Sequence, residues 1–246
     1  MKYYTSILIA MCCTFLSFGQ TQKLFNIEEI TLTDTIEQKR IANSLQEKPV
    51  LYEDDKYVVR RTCSGEWGGS VYFKNKLTKV ERACSATCAI AILKNKAKYL
   101  VVSSLAHMSG FSSVVEIENP ELLDVFKLPP PRKRVGKKQI RYVGDDESKS
   151  SKGTKVSVDT IGIEAIAAFV YQEQAYYIIS GREGTFISKI ESGKFIRITK
   201  IGNTNIWTYE TMFKNTKGGF NVLFTGFKDK GYIDVTGNRI IICYFK

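Results

Sequence analysis

The sequence predicts an all-β protein built from a repeated unit about four strands long, and three observations carry that expectation. Four segments spread along the chain open with an aromatic residue leading an apolar run, each closes at a glycine, and tight Ser-Gly or Gly-Asn turns join some of the strands that follow. The composition is globular: of 246 residues 43% are hydrophobic, 25% are charged and only 5 are Pro. That balance excludes disordered, collagen-like and multi-span membrane chains.

Residues 1–19 read as an export signal. Lys2 precedes an apolar run, Ser6–Phe18, that is too short to cross a bilayer as a helix, and the small residues Ser17 and Gly19 set cleavage near Gly19-Gln20. Cys12 and Cys13 lie within the run, but Met11 stands where lipoprotein processing needs a small residue. No later segment is long and apolar enough to span a bilayer, so no transmembrane span is expected after cleavage, and the protein is expected to be secreted or periplasmic. Cleavage removes only Lys2 from the charged residues, leaving 35 basic against 25 acidic. Outside the cytoplasm such an excess suits an anionic polysaccharide, lipopolysaccharide or phosphate-bearing surface, and no nucleic-acid partner is expected.

Residues 20–49 precede the repeat. Thr31–Ile36 alternates apolar and polar positions as a strand does, and Glu37–Leu45 reads as a short helix. Such a strand is suited to completing the last sheet of the fold and covering its edge.

Residues 50–246 form one repeating domain. Its copies are Lys56–Gly68, Lys98–Gly110, Ala175–Gly184 and Gly219–Gly231, led by Tyr57, Tyr99, Tyr176 and Phe220. After the glycine comes a second strand, Ser70–Phe73, Ser112–Ile117, Thr185–Ile190 or Tyr232–Val235. Ser192-Gly193 and Gly237-Asn238 then turn into Phe195–Ile198 and Ile240–Cys243, as hairpins require. An apolar run also precedes each leading aromatic: Val50–Tyr52, Ala89–Leu93, Ala165–Val170 and Ile206–Tyr209. The aromatics are 42, 77 and 44 residues apart, and the middle interval accommodates a diverged fifth copy in residues 123–160, with Gln139–Val143 and Lys155–Val158 as a hairpin.

This rhythm resembles the β-propeller repeat, in which four-stranded blades surround a central channel. The resemblance covers residues 50–246 and implies about five blades. It rests on strand spacing and turn glycines; no Trp-Asp dipeptide or Asp-box names a particular propeller family. Ala89, Ala91, Ala165, Ala167 and Ala168 in the innermost strands suit a crowded axis. A β-sandwich is the alternative architecture.

Four cysteines follow the signal: Cys63, Cys84, Cys88 and Cys243. In an exported protein they are disulfide candidates. Cys84 and Cys88 can bridge if their segment turns; as a strand it would hold them roughly 13 Å apart, leaving Cys63 with Cys84 or Cys88. Their spacing makes a poor zinc signature even with His107, the single histidine, and neither metal nor cofactor is expected.

If the units share an axis, their turns between second and third strands open on one end. That places Glu66, Trp67, His107, Met108, Arg182, Glu183, Lys228 and Asp229 on a common rim, with an aromatic, an imidazole and mixed charges suited to a glycan or a peptide. The sequence has no Gly-x-Ser-x-Gly elbow, His-Glu-x-x-His, phosphate loop or dinucleotide fingerprint, and therefore no catalytic residue is assigned. A basic, Pro-rich insertion at 128–141 contains Arg132, Lys133, Arg134, Lys137 and Lys138, a candidate docking strip for an anionic surface. The expectation is an exported, non-catalytic binding or scaffold protein for an extracellular or periplasmic glycan or protein partner. The alternative is a glycoside hydrolase or lyase using the rim carboxylates Glu66, Glu183 and Asp229.

Overall fold

The computed structural model describes residues 23–45, 50–136, 138–209, 213–214, 217–226 and 229–246; the expected export signal lies outside them. The chain enters as β1 (Asn26–Leu32) and turns into helix α1 (Thr35–Ser44). The Asp34 carboxylate starts the helix by accepting hydrogen bonds from the amides of Ile36 at 2.8 Å and Glu37 at 3.2 Å. This cap draws Thr35 and Ile36 into the helix, so the strand lies earlier than the alternation at 31–36 suggests.

Sheet I is an antiparallel run of β2 (Val50–Glu53), β3 (Tyr57–Cys63), β4 (Gly69–Asn75) and β5 (Glu81–Ser85). Sheet II contains β6 (Ala89–Asn95), β7 (Lys98–Leu105) and β8 (Phe111–Ile117). The chain then lays the short β9 (Asp124–Val125) beside β5 and pairs β10 (Lys133–Val135) with β11 (Lys138–Ile140) as a separate hairpin. It returns as β12 (Lys155–Ile161), the fourth strand of sheet II, against β8. Sheet III is β13 (Ile163–Tyr171), β14 (Gln174–Gly181), β15 (Gly184–Glu191) and β16 (Lys194–Gly202) in sequence order. In sheet IV, β17 (Ile206–Trp207) and β18 (Phe213–Lys214) both pair with β19 (Phe220–Gly226), which leads to β20 (Lys230–Thr236) and β21 (Arg239–Phe245). Strand β1 completes this sheet, running parallel to β21 from Asn26 opposite Arg239 to Leu32 opposite Phe245.

The described residues thus form four sheets of four or more strands, rather than about five units or the two layers of a sandwich. Residues 123–160 do not make a fifth unit. The free edge of β8 needs a partner for its backbone groups, and Lys155–Ile161 supplies it, so the predicted hairpin of Gln139–Val143 with Lys155–Val158 is not formed.

Consecutive sheets pack on one another through three apolar clusters. Tyr57, Val59, Phe73, Tyr99 and Val101 join sheets I and II; Leu93, Val102, Ala165, Ala168 and Tyr177 join II and III; Phe169, Ile178, Val222, Phe224 and Ile240 join III and IV. The first strands of sheets II and III meet neighbours on both sides, which explains why β6 and β13 are continuous apolar runs rather than alternating ones. All five alanines singled out by the sequence are buried there.

Two positions show how closely the chain is fitted. Gly231, expected to close a repeat, instead lies within β20: a Cβ there would stand 1.9 Å from the Cys243 carbonyl oxygen, so only glycine permits the strand approach. The β13–β14 turn places Gln172 and Glu173 at φ of 47° and 60°, a left-handed pair that Asn-Gly adopts with less strain. Replacing them by Asn and Gly is expected to raise the unfolding free energy by about 1 kcal/mol, read as a higher urea midpoint with unchanged slope.

Candidate functional site

The hydrogen bonds between sheets fix where their turns lie. Arg61, near the end of β3, donates to the Ala89 carbonyl at the start of β6 at 2.7 Å. Gly162, just before β13, donates through its amide to the Gly110 carbonyl in the β7–β8 turn at 2.9 Å. Ser180, at the end of β14, accepts from the Ile206 amide at the start of β17 at 3.0 Å. Sheets II, III and IV therefore each begin beside the second-to-third-strand turn of the preceding one. The turns carrying Glu66 and Trp67, His107 and Met108, Arg182 and Glu183, and Asp229 consequently share one end of the sheet array.

Glu66 and His107 come into direct contact: Oε2 lies 3.7 Å from Nδ1, and both side chains are about half exposed. Trp67, on the same 3-10 turn as Glu66, is 64% exposed, and Met108 beside His107 is 94% exposed at φ of 51°. Lys149 donates to the Trp67 carbonyl at 3.3 Å, and Gly144 packs against Trp67, bringing the exposed Tyr142 and Val143 into the neighbourhood. Glu183 instead pairs with Arg197 at 2.5 Å, which lowers its pKa, while Arg182 is exposed and Asp229 half-buried. Lys228 lies outside the described residues.

A disulfide and a buried carboxylate tie together the segments under this surface. Cys63 and Cys88 form a disulfide that ties the end of β3 to the start of β6. Cys88, at φ of 51°, lies in a turn that breaks the strand after Ser85, so Cys84 points into the apolar cluster between sheets I and II rather than toward Cys88. Burial pushes the Cys84 thiol up to about 12, and Cys84 and Cys243 are free and buried. The buried Glu147 accepts from the Thr62 hydroxyl and from Ser64 at 2.8 Å, fastening the 141–150 loop to β3.

A second carboxyl deepens the same end. Glu164, which opens β13, has one oxygen buried without a hydrogen-bond partner, and burial alone pushes its pKa up to about 7. A Cβ on Gly110 would lie 2.7 Å from Glu164 Cγ, so the carboxyl packs directly against the turn carrying His107. The sequence locates Glu164 only at the border of an inner strand; its isolation needs the packed sheets.

The basic strip is partly neutralised within the molecule. Arg132 meets Asp145 at 2.6 Å and lies 5.7 Å from the Tyr142 ring centre, while Arg141 meets Asp146 at 2.5 Å. Lys133 and Arg134 fall in β10 and Lys138 in β11; Lys137 lies outside the described residues. Among the described residues no group of three or more His, Cys, Asp or Glu side chains is placed to hold a metal ion, and no helix is long and apolar enough to cross a membrane.

Comparison with known proteins adds little to this geometry. No family model matches the chain, and no solved structure matches it. Two curated phosphatidylethanolamine N-methyltransferases, from two strains of Ajellomyces capsulatus, are each 37% identical to it over 68 residues, 28% of this chain. The chain spans 7% of the length of those relatives, and so short a segment assigns no family.

Proposed function

We propose that this chain is an exported, non-catalytic binding module whose four sheets are the blades of a small β-propeller, and that it takes a glycan on the end formed by Glu66, Trp67, His107 and Tyr142. The observation that carries the reading is the Glu66–His107 contact beside the exposed Trp67, with the exposed Tyr142 on the loop that packs against Trp67. A sugar ring stacks its C–H face on an indole or phenol, and its hydroxyls hydrogen-bond to a carboxylate and an imidazole. The Cys63–Cys88 bridge supports a secreted or periplasmic location, because disulfides persist in oxidising compartments. Four sheets packed in succession, the last completed by β1, support the blade arrangement.

The test is calorimetric titration of neutral and anionic polysaccharides into the protein. Trp67→Ala and His107→Ala are each expected to weaken binding at least tenfold, about 1.4 kcal/mol or more, while thermal unfolding stays within a few degrees of wild type. Wild-type affinity in both variants overturns the placement. Polysaccharide turnover would instead favour the hydrolase reading, for which Glu164 is suited to the general-acid role because burial raises its pKa to about 7, so that a substantial share is protonated near neutral pH.

A further inference from the structure

The other end of the array holds a cavity of about 560 Å³ that the binding surface does not use. Its lining residues precede the turns between first and second strands in sheets I–III, while sheet IV contributes the start of β19 and the β20–β21 turn. The walls are apolar, with Leu51, Ile92, Leu93, Ala168, Phe169 and Phe220 among them. The volume lies in the range of small-molecule sites, which combine an apolar body with a few placed polar groups.

One charged side chain, Lys94, lines this space among the described residues. Its ammonium lies 3.1 Å from Asp54 Oδ2 and its side chain is about half exposed. Asp54 has four further donors: the Tyr99 hydroxyl at 2.6 Å, the amides of Lys56 and Tyr57 at 2.9 and 2.8 Å, and the Tyr52 hydroxyl at 3.4 Å. With that carboxylate also met by four other donors, Lys94 gives it one of its three N–H groups and can offer another at the cavity. Nearby Tyr52 is a poor anion, its phenol pushed up to about 12 by burial and by the Asp54 charge.

We propose that this cavity takes the hydrocarbon tail of a single-chain anionic amphiphile, a long-chain carboxylate, and that Lys94 receives its head group. Tail burial supplies the affinity and the ammonium sets the orientation. The proposal is independent of the glycan surface, which lies at the opposite end.

The test uses the intact protein with dodecanoate and, as an uncharged probe of equal chain length, dodecan-1-ol, both below their aggregation limits. Saturable binding with one site per chain is expected for each. Val170 lines the cavity and is 41% exposed, so Val170→Trp can fill the space without replacing a core side chain; it should weaken both ligands at least tenfold. Val170→Phe serves the same purpose if the indole disturbs β13. Lys94→Gln should weaken dodecanoate about tenfold and leave the alcohol within twofold, and Trp67→Ala should change neither. Absence of saturable binding, wild-type affinity in a folded Val170 variant, or equal loss of both ligands in Lys94→Gln overturns the proposal.

Discussion

Replacing Cys63 and Cys88 together by alanine is expected to cost about 3.5 kcal/mol of unfolding free energy. The bridge closes a segment with a sequence separation of 25, and loop-closure entropy for that length gives this magnitude. For a chain of this size the melting temperature should fall by roughly 10 °C. The measurement is denaturant unfolding of the oxidised wild type, the reduced wild type and the double variant, with the last two expected to coincide. Identical midpoints for all three would show that Cys63 and Cys88 are not joined. The same comparison bears on the proposed glycan surface: the bridge ties the end of β3, which leads into the Glu66 turn, to sheet II, so its loss should weaken the proposed binding there.

Glu164→Gln is expected to stabilise the protein at neutral pH and to do nothing at pH 4. The folded-state pKa of Glu164 lies near 7, above the ordinary carboxyl value of 4.5, because burial disfavours the charged form. At low pH the group is protonated both folded and unfolded, and the wild type bears no penalty. As pH rises from about 4.5 the unfolded chain gains by ionising while the folded one does not, so stability falls until the folded group ionises near 7 and then levels off. The full shift corresponds to more than 3 kcal/mol, but the side chain is not completely shielded, and about 1–2 kcal/mol remains after allowing for solvent screening. Glutamine keeps the shape and does not ionise, so the stability difference between variant and wild type should open between pH 4.5 and 7. A difference that is constant with pH would show that Glu164 is solvated.

The strands were legible where local chemistry agreed with packing. Tyr57, Tyr99, Tyr176 and Phe220 each lead a second strand of a sheet because an aromatic at that position enters the cluster between sheets, and the pattern repeats as the environment does. Residues 123–160 misled because strand character does not name a partner: Lys155–Ile161 is a strand, but its edge belongs to β8, nearly forty residues earlier. The disulfide stayed open between rival pairings because it depends on whether Ser85–Cys88 turns, a choice made by the contact between sheets I and II. At the candidate site the turn positions of Glu66, Trp67 and His107 could be read from the repeat. The roles of Tyr142 and Glu164 could not, since one becomes a neighbour only through Gly144 against Trp67 and the other becomes isolated only under Gly110.

The parallel pairing of β1 with β21 sets a timetable for the chain. One partner is made more than two hundred residues before the other, so sheet IV cannot acquire its outermost strand until β21 has emerged. Contacts so remote in sequence form late and slowly. A nascent chain would thus hold β1 unpaired while the first three sheets formed, and the joining of β1 to β21 would be the step that completes the last sheet.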